Sequence, residues 1–282
     1  MKISILIASY NYAQYIEEAI NSVINQSYQN WELIIVDDGS SDNSLEIIKS
    51  YCEKDSRIKL FQHENNQNNG LKETILLGLE NVMGDWVAFL ESDDVFMPDN
   101  LAKKVEIIED AKMQRCKDAK VIFNKVKFLQ EGKKNKFQSE IFEKNQKKLS
   151  QMKFPKNMFY DLFIDNLLLT FSCVMVEAQT LKNADFNTPK DAVLDWWLWV
   201  HLAYNNDFYY LDEELTQWRL HDESYIKSGK SVFPTQIRAY NDVYKKNKQV
   251  KILLFMIFSL IKLLFVKCLR VFHKISSIKN GF

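Results

Sequence analysis

Apolar residues fill positions 3–9 almost without a break (ISILIAS), the pattern of a strand buried on both faces. From Ile16 the spacing changes. Ile16, Ala19, Ile20, Val23 and Ile24 recur at helical intervals and predict a helix over about 12–26. The alternation then repeats. "WELIIVDD" is a second strand, and residues 41–53 form a helix with Leu45, Ile48 and Cys52 inward. Asp42 falls in that helix's first turn, where a negative charge suits the dipole. "RIKLFQHE" is a third strand, 70–82 a helix, "DWVAFLE" a fourth strand, and Pro98 opens the next helix. Strands alternating with helices imply parallel pairing through right-handed crossovers, hence an α/β fold. In such sheets ligands sit at the carboxyl ends of the strands.

The rest of the chain is less regular. Residues 112–156 are crowded with charge ("EGKKNKFQSEIFEKNQKK") and read as a solvated, partly mobile insertion. Residues 170–176 form another strand, and 195–204 an apolar helix with one acid at its head. "FYYLDEELTQWRLH" reads as strand, turn and strand.

Polar residues cluster at the predicted strand ends. Ser9, Tyr10 and Asn11 end the first, and Asp37 and Asp38 of "VDDGS" end the second. Glu91, Asp93 and Asp94 of "FLESDDVFMPDNL" follow the fourth, so all three clusters face one rim. Crowded carboxylates are stabilised most simply by a divalent cation, and oxygen-only ligands select Mg²⁺ or Mn²⁺. A turn with solvated acids is the plain alternative. There is no P-loop and no dinucleotide fingerprint.

Charge separates the chain into two parts. Twelve of its 37 Lys and Arg residues, but only one of its 37 acids, Asp242, lie from Lys227 onward. The body is therefore near −11 and the tail near +11. A basic end of this kind favours an anionic surface, lipid or nucleic acid. Within 250–275 an apolar stretch is broken by Lys262, Lys267 and Arg270, so no uninterrupted run is long enough to span a bilayer. One face is cleanly apolar and the other mixes basic with apolar residues, which suits a helix lying in the membrane interface; packing on the body or on a partner subunit, or a snorkelling transmembrane span, are the alternatives. Four scattered cysteines, with no CxxC, read as reduced thiols of an intracellular protein.

Three stretches in order, "ILIASYNYAQYIEEAINSVINQSYQNWELIIVDDGSSDNS", "NNG" and "GDWVAFLESDDVFMPDNL", resemble the N-terminal half of family 2 glycosyltransferases. "LDWWLWVHLA" and "WRLHDES" continue the resemblance more loosely. It implies the GT-A fold, a Rossmann-like, mostly parallel sheet flanked by helices. Residues 1–110 would bind the nucleotide-sugar, 111–226 the acceptor, and 227–282 would be an amphipathic helical tail.

The roles it implies fall on named residues. Tyr10 would lie against the nucleotide base, with Ser9 and Asn11 beside it. Asp38, next to Asp37, would bond base or ribose. Asp93 would approach the ribose and Asp94 the metal, Mn²⁺ or Mg²⁺. Asp195 would be the general base, and Arg219, His221 and Ser224 would border the diphosphate. Of the tryptophans, 196 and 199 share a helical face with Leu202 and Ala203 and read as core; Trp197 points elsewhere and is the acceptor candidate.

The sequence departs from the family pattern at four places. Glu91 stands for Asp, Ala8 for Pro, Leu194 for the Glu before Asp195, and Ile75 and Leu76 for an Arg-Asn pair. Lys72 is the candidate substitute for the missing arginine, as a point charge. The implied activity is inverting transfer from a nucleotide-diphosphate donor, a UDP-sugar, to a glycan or lipid-linked acceptor in surface polysaccharide or lipopolysaccharide synthesis. The implied place is the cytoplasmic face of the membrane, and nucleic acid is not an expected partner. A non-catalytic nucleotide-sugar-binding or scaffold protein is the competing reading; the missing Arg-Asn pair favours it, while Asp38, Asp93, Asp94 and Asp195 oppose it.

Overall fold

The computed structural model describes residues 1–113, 120–130, 136–188 and 194–220, with five isolated positions beyond (241, 244, 245, 257 and 261). His221, Ser224 and almost all of the basic tail lie outside the described residues. The first half runs β1 (Ile3–Ser9), α1 (Ile16–Ile24), β2 (Trp31–Asp37), α2 (Ser44–Lys54), β3 (Ile58–Gln62), α3 (Leu71–Glu80), β4 (Trp86–Phe89), β5 (Val95–Phe96) and α4 (Asn100–Met113). The second runs β6 (Val121–Gln130), α5 (Lys136–Ser150), α6 (Phe159–Ile164), β7 (Val174–Glu177), α7 (Ala178–Lys182), α8 (Leu194–Asn205) and β8 (Phe208–Leu220).

One eight-stranded sheet, in the order β3-β2-β1-β4-β7-β6-β8-β5, runs through both halves. β1 pairs in parallel with β2 and β4, and β2 with β3. β7 is antiparallel to β4 and β6, β8 is parallel to β6, and β5 is antiparallel to β8. The alternation of strand side chains explains the layers. Ile3, Ile5, Ile7, Leu33 and Ile35 join one core with Ile16, Ile20 and Val23 of α1, Ile48 of α2, and Leu101 and Val105 of α4. Leu6, Ile34 and Val36 face the other core, with Ile75 and Leu79 of α3 and Trp196, Trp197 and Trp199 of α8. A Cβ on Gly78 would stand 2.2 Å from Leu6 Cδ1, so any larger residue there would force the Leu6 side chain to shift where α3 meets β1.

Four sequence expectations change. The 112–156 region is no mere insertion: β6 carries buried Val121, Ile122, Phe123 and Val126 into the sheet, and its flanking lysines hid that pattern. β8 is one long strand, not two; its acids Asp212 to Glu214 are exposed where the register against β6 shifts, so the expected turn is a bulge. A short 3₁₀ turn, Phe171–Cys173, precedes β7. α4 starts at Asn100 rather than Pro98, because the Pro98 carbonyl accepts from Ser27 N (2.8 Å) and Asp99 from Ser27 Oγ (2.7 Å).

Lys104 of α4 is wholly buried, with Asn100 Oδ1 at 2.9 Å from its Nζ and the Phe96 ring nearby. Burial lowers its pKa to about 7. The unfolded chain therefore holds more protons than the folded one between about pH 7 and its ordinary lysine value. The penalty for burying the ammonium is full below pH 7 and fades above it, so stability rises with pH in that window. Denaturant unfolding of wild type minus Lys104→Met should show this rise, and a flat difference would refute it.

Candidate active site

A cavity of about 500 Å³ opens at the carboxyl ends of β1, β2 and β4. Its wall includes Ser9, Tyr10, Asp38, Glu91, Asp93, Thr170, Asp195 and Arg219, over a floor containing Ala8, Ile75, Phe89 and Phe171. Residues spread over most of the chain therefore meet at the rim on which the strand order placed them.

At one end, β1 and β2 present Ser9, Tyr10 and Asp38. Asp38 accepts from Asn69 N (2.7 Å) and Gly70 N (3.0 Å), which fixes its carboxylate against the start of α3. Tyr10 is 45% exposed and lies on the cavity wall. Ser9 Oγ is buried without a hydrogen-bond partner among the described residues. Asp37 and Asn11 take a different part. Asp37 Oδ1 accepts from Ser40 N (3.0 Å) and its Oδ2 from Ser40 Oγ. Asn11, at φ 58°, accepts from Ser41 N (2.7 Å). Both shape the "DDGS" loop and neither lines the cavity. Gly39 makes that loop possible, with φ 78° and a Cβ position only 2.5 Å from the Asn66 carbonyl oxygen.

The acid loop between β4 and β5 is clamped from below. Ser92 Oγ donates to the Ala8 carbonyl (2.7 Å), and Glu91 N donates to Ser172 Oγ (2.9 Å). Asp94 is fully buried and absent from the cavity wall. Its Oδ2 accepts from Thr170 Oγ1 (2.7 Å) and Ser172 Oγ (2.6 Å), and its Oδ1 from Arg219 N (2.9 Å). The family resemblance gives Asp94 the ion, but here it ties the loop to the 3₁₀ turn and to β8. Asp93 and Glu91 are the loop acids that face the cavity.

The electrostatics follow from crowding. Burial, then the neighbouring Asp94 and Asp93, push Glu91 well above the carboxylate range. Burial and Asp93 raise Asp94 to about 8. Thr170 Oγ1 touches both Glu91 Oε2 and Asp94 Oδ2 with one proton to give. These are mutually repelling oxygens, of the kind a hard divalent cation relieves, although among the described residues no group of three or more acids, histidines or cysteines is placed to hold one, so an ion here would rest on Asp93 and Glu91 together with a ligand's own oxygens.

Asp195 sits in the first turn of α8, on the same cavity wall and near enough to Glu91 for its charge to help raise that acid. Burial raises the pKa of Asp195, opposed by hydrogen bonds from the Trp196 backbone and from Asn166, whose Nδ2 lies 3.3 Å from Oδ2. Arg219 of β8 is 4% exposed and reaches the wall beside Asp93, donating from Nε to the Asp93 carbonyl (2.8 Å).

Two other assignments do not match the structure. Trp197 is 1% exposed and its Nε1 donates to the Asp185 carbonyl (2.9 Å), so it is core and makes no acceptor surface. Lys72 pairs with Glu73 (2.8 Å) and does not line the cavity; Ile75, at the other departure, does. Thr170, Ser172 and Asn166 went unread because small hydroxyls and amides in irregular segments carry no periodic signal.

Residues 4–165, more than half the chain, match the family described as Glycosyl transferase family 2. An uncharacterized glycosyltransferase of Haemophilus influenzae is 45% identical over 106 residues, covering 38% of this chain and 42% of its own. The putative teichuronic acid biosynthesis glycosyltransferase TuaG of Bacillus subtilis is 40% identical over 106 residues, covering 38% and 41%. The matches thus span about two fifths of the length of these relatives. The structure of S. aureus TarS 1-349 in complex with UDP-GlcNAc superposes with a TM-score of 0.64 at 20% identity, covering 86% of this chain and 67% of that one. That likeness speaks for the fold, which is GT-A. By its family match, the chain belongs to glycosyl transferase family 2.

Proposed function

We propose that the protein transfers a sugar, with inversion, from a nucleotide-diphosphate donor to a glycan or lipid-linked acceptor in surface polysaccharide synthesis. The observation that carries this is one cavity bounded by Asp38 and Tyr10 at one end and by Asp93, Arg219 and Asp195 at the other. The first pair suits a nucleoside and the second group suits reacting diphosphate, sugar and hydroxyl. UDP-GlcNAc in the TarS neighbour and the teichuronic acid assignment of TuaG agree with a UDP-sugar donor and a surface-glycan acceptor.

In this mechanism Asp195 is the general base. Its carboxylate takes the proton of the acceptor hydroxyl as that oxygen bonds to the anomeric carbon. The bond from that carbon to the diphosphate oxygen breaks on the opposite face, and the electron pair leaves with the diphosphate. A base with a pKa raised by desolvation is matched to this task, and Asn166 orients it. Arg219 faces the departing charge. Mn²⁺ or Mg²⁺ would be held by Asp93, with Glu91 at its side, and would supply charge neutralisation for the diphosphate. Thermal-shift screening of a nucleotide-sugar panel with and without Mn²⁺ tests the reading: a cation-dependent shift with one donor supports it, and no shift with any donor overturns it. Binding with no turnover on any glycan acceptor would instead favour the non-catalytic reading, for which Ile75 on the cavity wall speaks.

We also propose that residues 250–275 hold the protein on an anionic membrane surface, on the basis of their apolar face and basic residues. Among the described residues no helix is long and apolar enough to cross a membrane. The full-length protein should sediment with phosphatidylserine vesicles at low salt. Replacing Lys262, Lys267 and Arg270 together by Glu should release it, and equal sedimentation of the two would refute the surface role.

A further inference from the structure

Arg219 is held by groups far from its own strand. Its Nε meets the Asp93 carbonyl, Nη2 pairs with Glu18 Oε2, and the guanidinium carbon lies 4.8 Å from the centre of the Tyr15 ring. Glu18 is in the first turn of α1, with Tyr15 immediately before the helix, 201 residues from Arg219 in the case of Glu18. The Arg219 side chain is 4% exposed, whereas the Glu18 side chain is 54% exposed. A surface carboxylate gains little from an ion pair held in water. Here it meets a nearly buried cation, where the charge has more effect.

A guanidinium is a flat, rigid fork, so fixing Nε and one terminal nitrogen fixes its plane. Tyr15 then supports the fork through its ring. Among the described residues on the cavity wall, Arg219 is the one cation, set against Asp38, Glu91, Asp93 and Asp195. The acid loop already touches Arg219 at Asp93 O and Asp94 Oδ1 and could take up its charge. Pairing with the loop carboxylates would cover the groups that face the cation and pull Arg219 from the cavity wall.

We propose that Glu18, supported by Tyr15, is a positioning residue. It sets the guanidinium plane of Arg219 for the donor diphosphate and keeps that group off the carboxylates of the acid loop. This rests on the nucleotide-sugar reading, and the helix that carries Glu18 thereby becomes part of the donor site without touching donor.

The test is a double-mutant cycle on binding of UDP with Mn²⁺ to the full chain, read by calorimetry, with melting temperature followed in parallel. Glu18→Ala should weaken UDP about 10-fold and Glu18→Gln, which keeps an acceptor for the guanidinium, about 3-fold or less. Glu18→Ala combined with Arg219→Ala should bind no more weakly than Arg219→Ala alone, because Glu18 acts through Arg219. A merely structural Glu18 would lower the melting temperature and add to Arg219→Ala. Additive losses, or wild-type affinity in Glu18→Ala, would overturn the proposal. Tighter binding in Glu18→Ala would also overturn it, since Glu18 would then be a competitor of the diphosphate. If wild type binds neither UDP nor GDP with Mn²⁺, the nucleotide-sugar reading falls and takes this inference with it. Glu18 is exposed and alanine favours helix, so the variant is expected to fold.

Discussion

Asp195→Asn should leave donor affinity intact and lower the turnover of sugar transfer by about 10³-fold. The substitution keeps size and the contact to Asn166 but removes the only group in the first turn of α8 able to take a proton. Because Asp195 is held by Asn166 and Asp38 by Asn69 N and Gly70 N, the substitution leaves the Asp38 contacts untouched, and the loss should fall on kcat and not on the dissociation constant for UDP. Single-turnover rates with a purified acceptor, beside calorimetric UDP binding, make the separation. Normal turnover would remove Asp195 as the base. Weakened UDP binding would show that its place in the site is electrostatic.

The second large effect separates two neighbouring acids. Asp93→Asn should abolish cation-dependent UDP binding and leave the melting temperature close to that of wild type, because its carboxylate faces the cavity. Asp94→Ala should act through the fold. It strips an acceptor from Thr170 Oγ1, Ser172 Oγ and Arg219 N at once, inside a fully buried pocket. An unmade buried hydrogen bond costs about 1–3 kcal/mol, and since the hydroxyls can turn to other partners, a total loss of about 3 kcal/mol is expected. Calorimetric melting with parallel Mn²⁺ titration distinguishes the two. An Asp94→Ala protein of unchanged melting temperature that no longer binds Mn²⁺ would return the ion to Asp94.

The first half of the fold was legible because each strand was a mainly apolar run and each helix kept an apolar stripe. β1 to β4 with α1 to α3 follow the expected limits to within a few residues, apart from α1, which begins four residues late. The second half was not, for physical reasons that can be named. β6 opens with four consecutive buried residues, Val121 to Asn124, but Lys125 and Lys127 within it and the charged stretches around it raise the average charge and mask a strand. β8 carries three exposed acids at a bulge, which imitate a turn. The rim was legible for the same reason as the strands: acids at strand ends must share an edge of a parallel sheet. Which acid faces the cavity was not legible. Asp93 and Asp94 are adjacent and chemically alike, and their difference is made by Thr170, Ser172 and Arg219, far along the chain.

The strand order places β4 and β5 four positions apart, although only residues 90–94 separate them in the chain. Strands lie about 4.8 Å apart, so in a flat sheet the gap would be about 19 Å. A five-residue link folded into a turn, with Asp94 N bonded to the Glu91 carbonyl, cannot bridge that distance, so the sheet must curl until its far edge returns. The acid loop is therefore a tie across an arc, and its length is part of the architecture. One inserted residue would shift β5 by one place against β8 and turn Phe96 from the core towards water. Substitutions can vary the chemistry of this loop, but insertions and deletions would unmake the closure, so donor-site diversity at this position is open to changes of side chain and closed to changes of length.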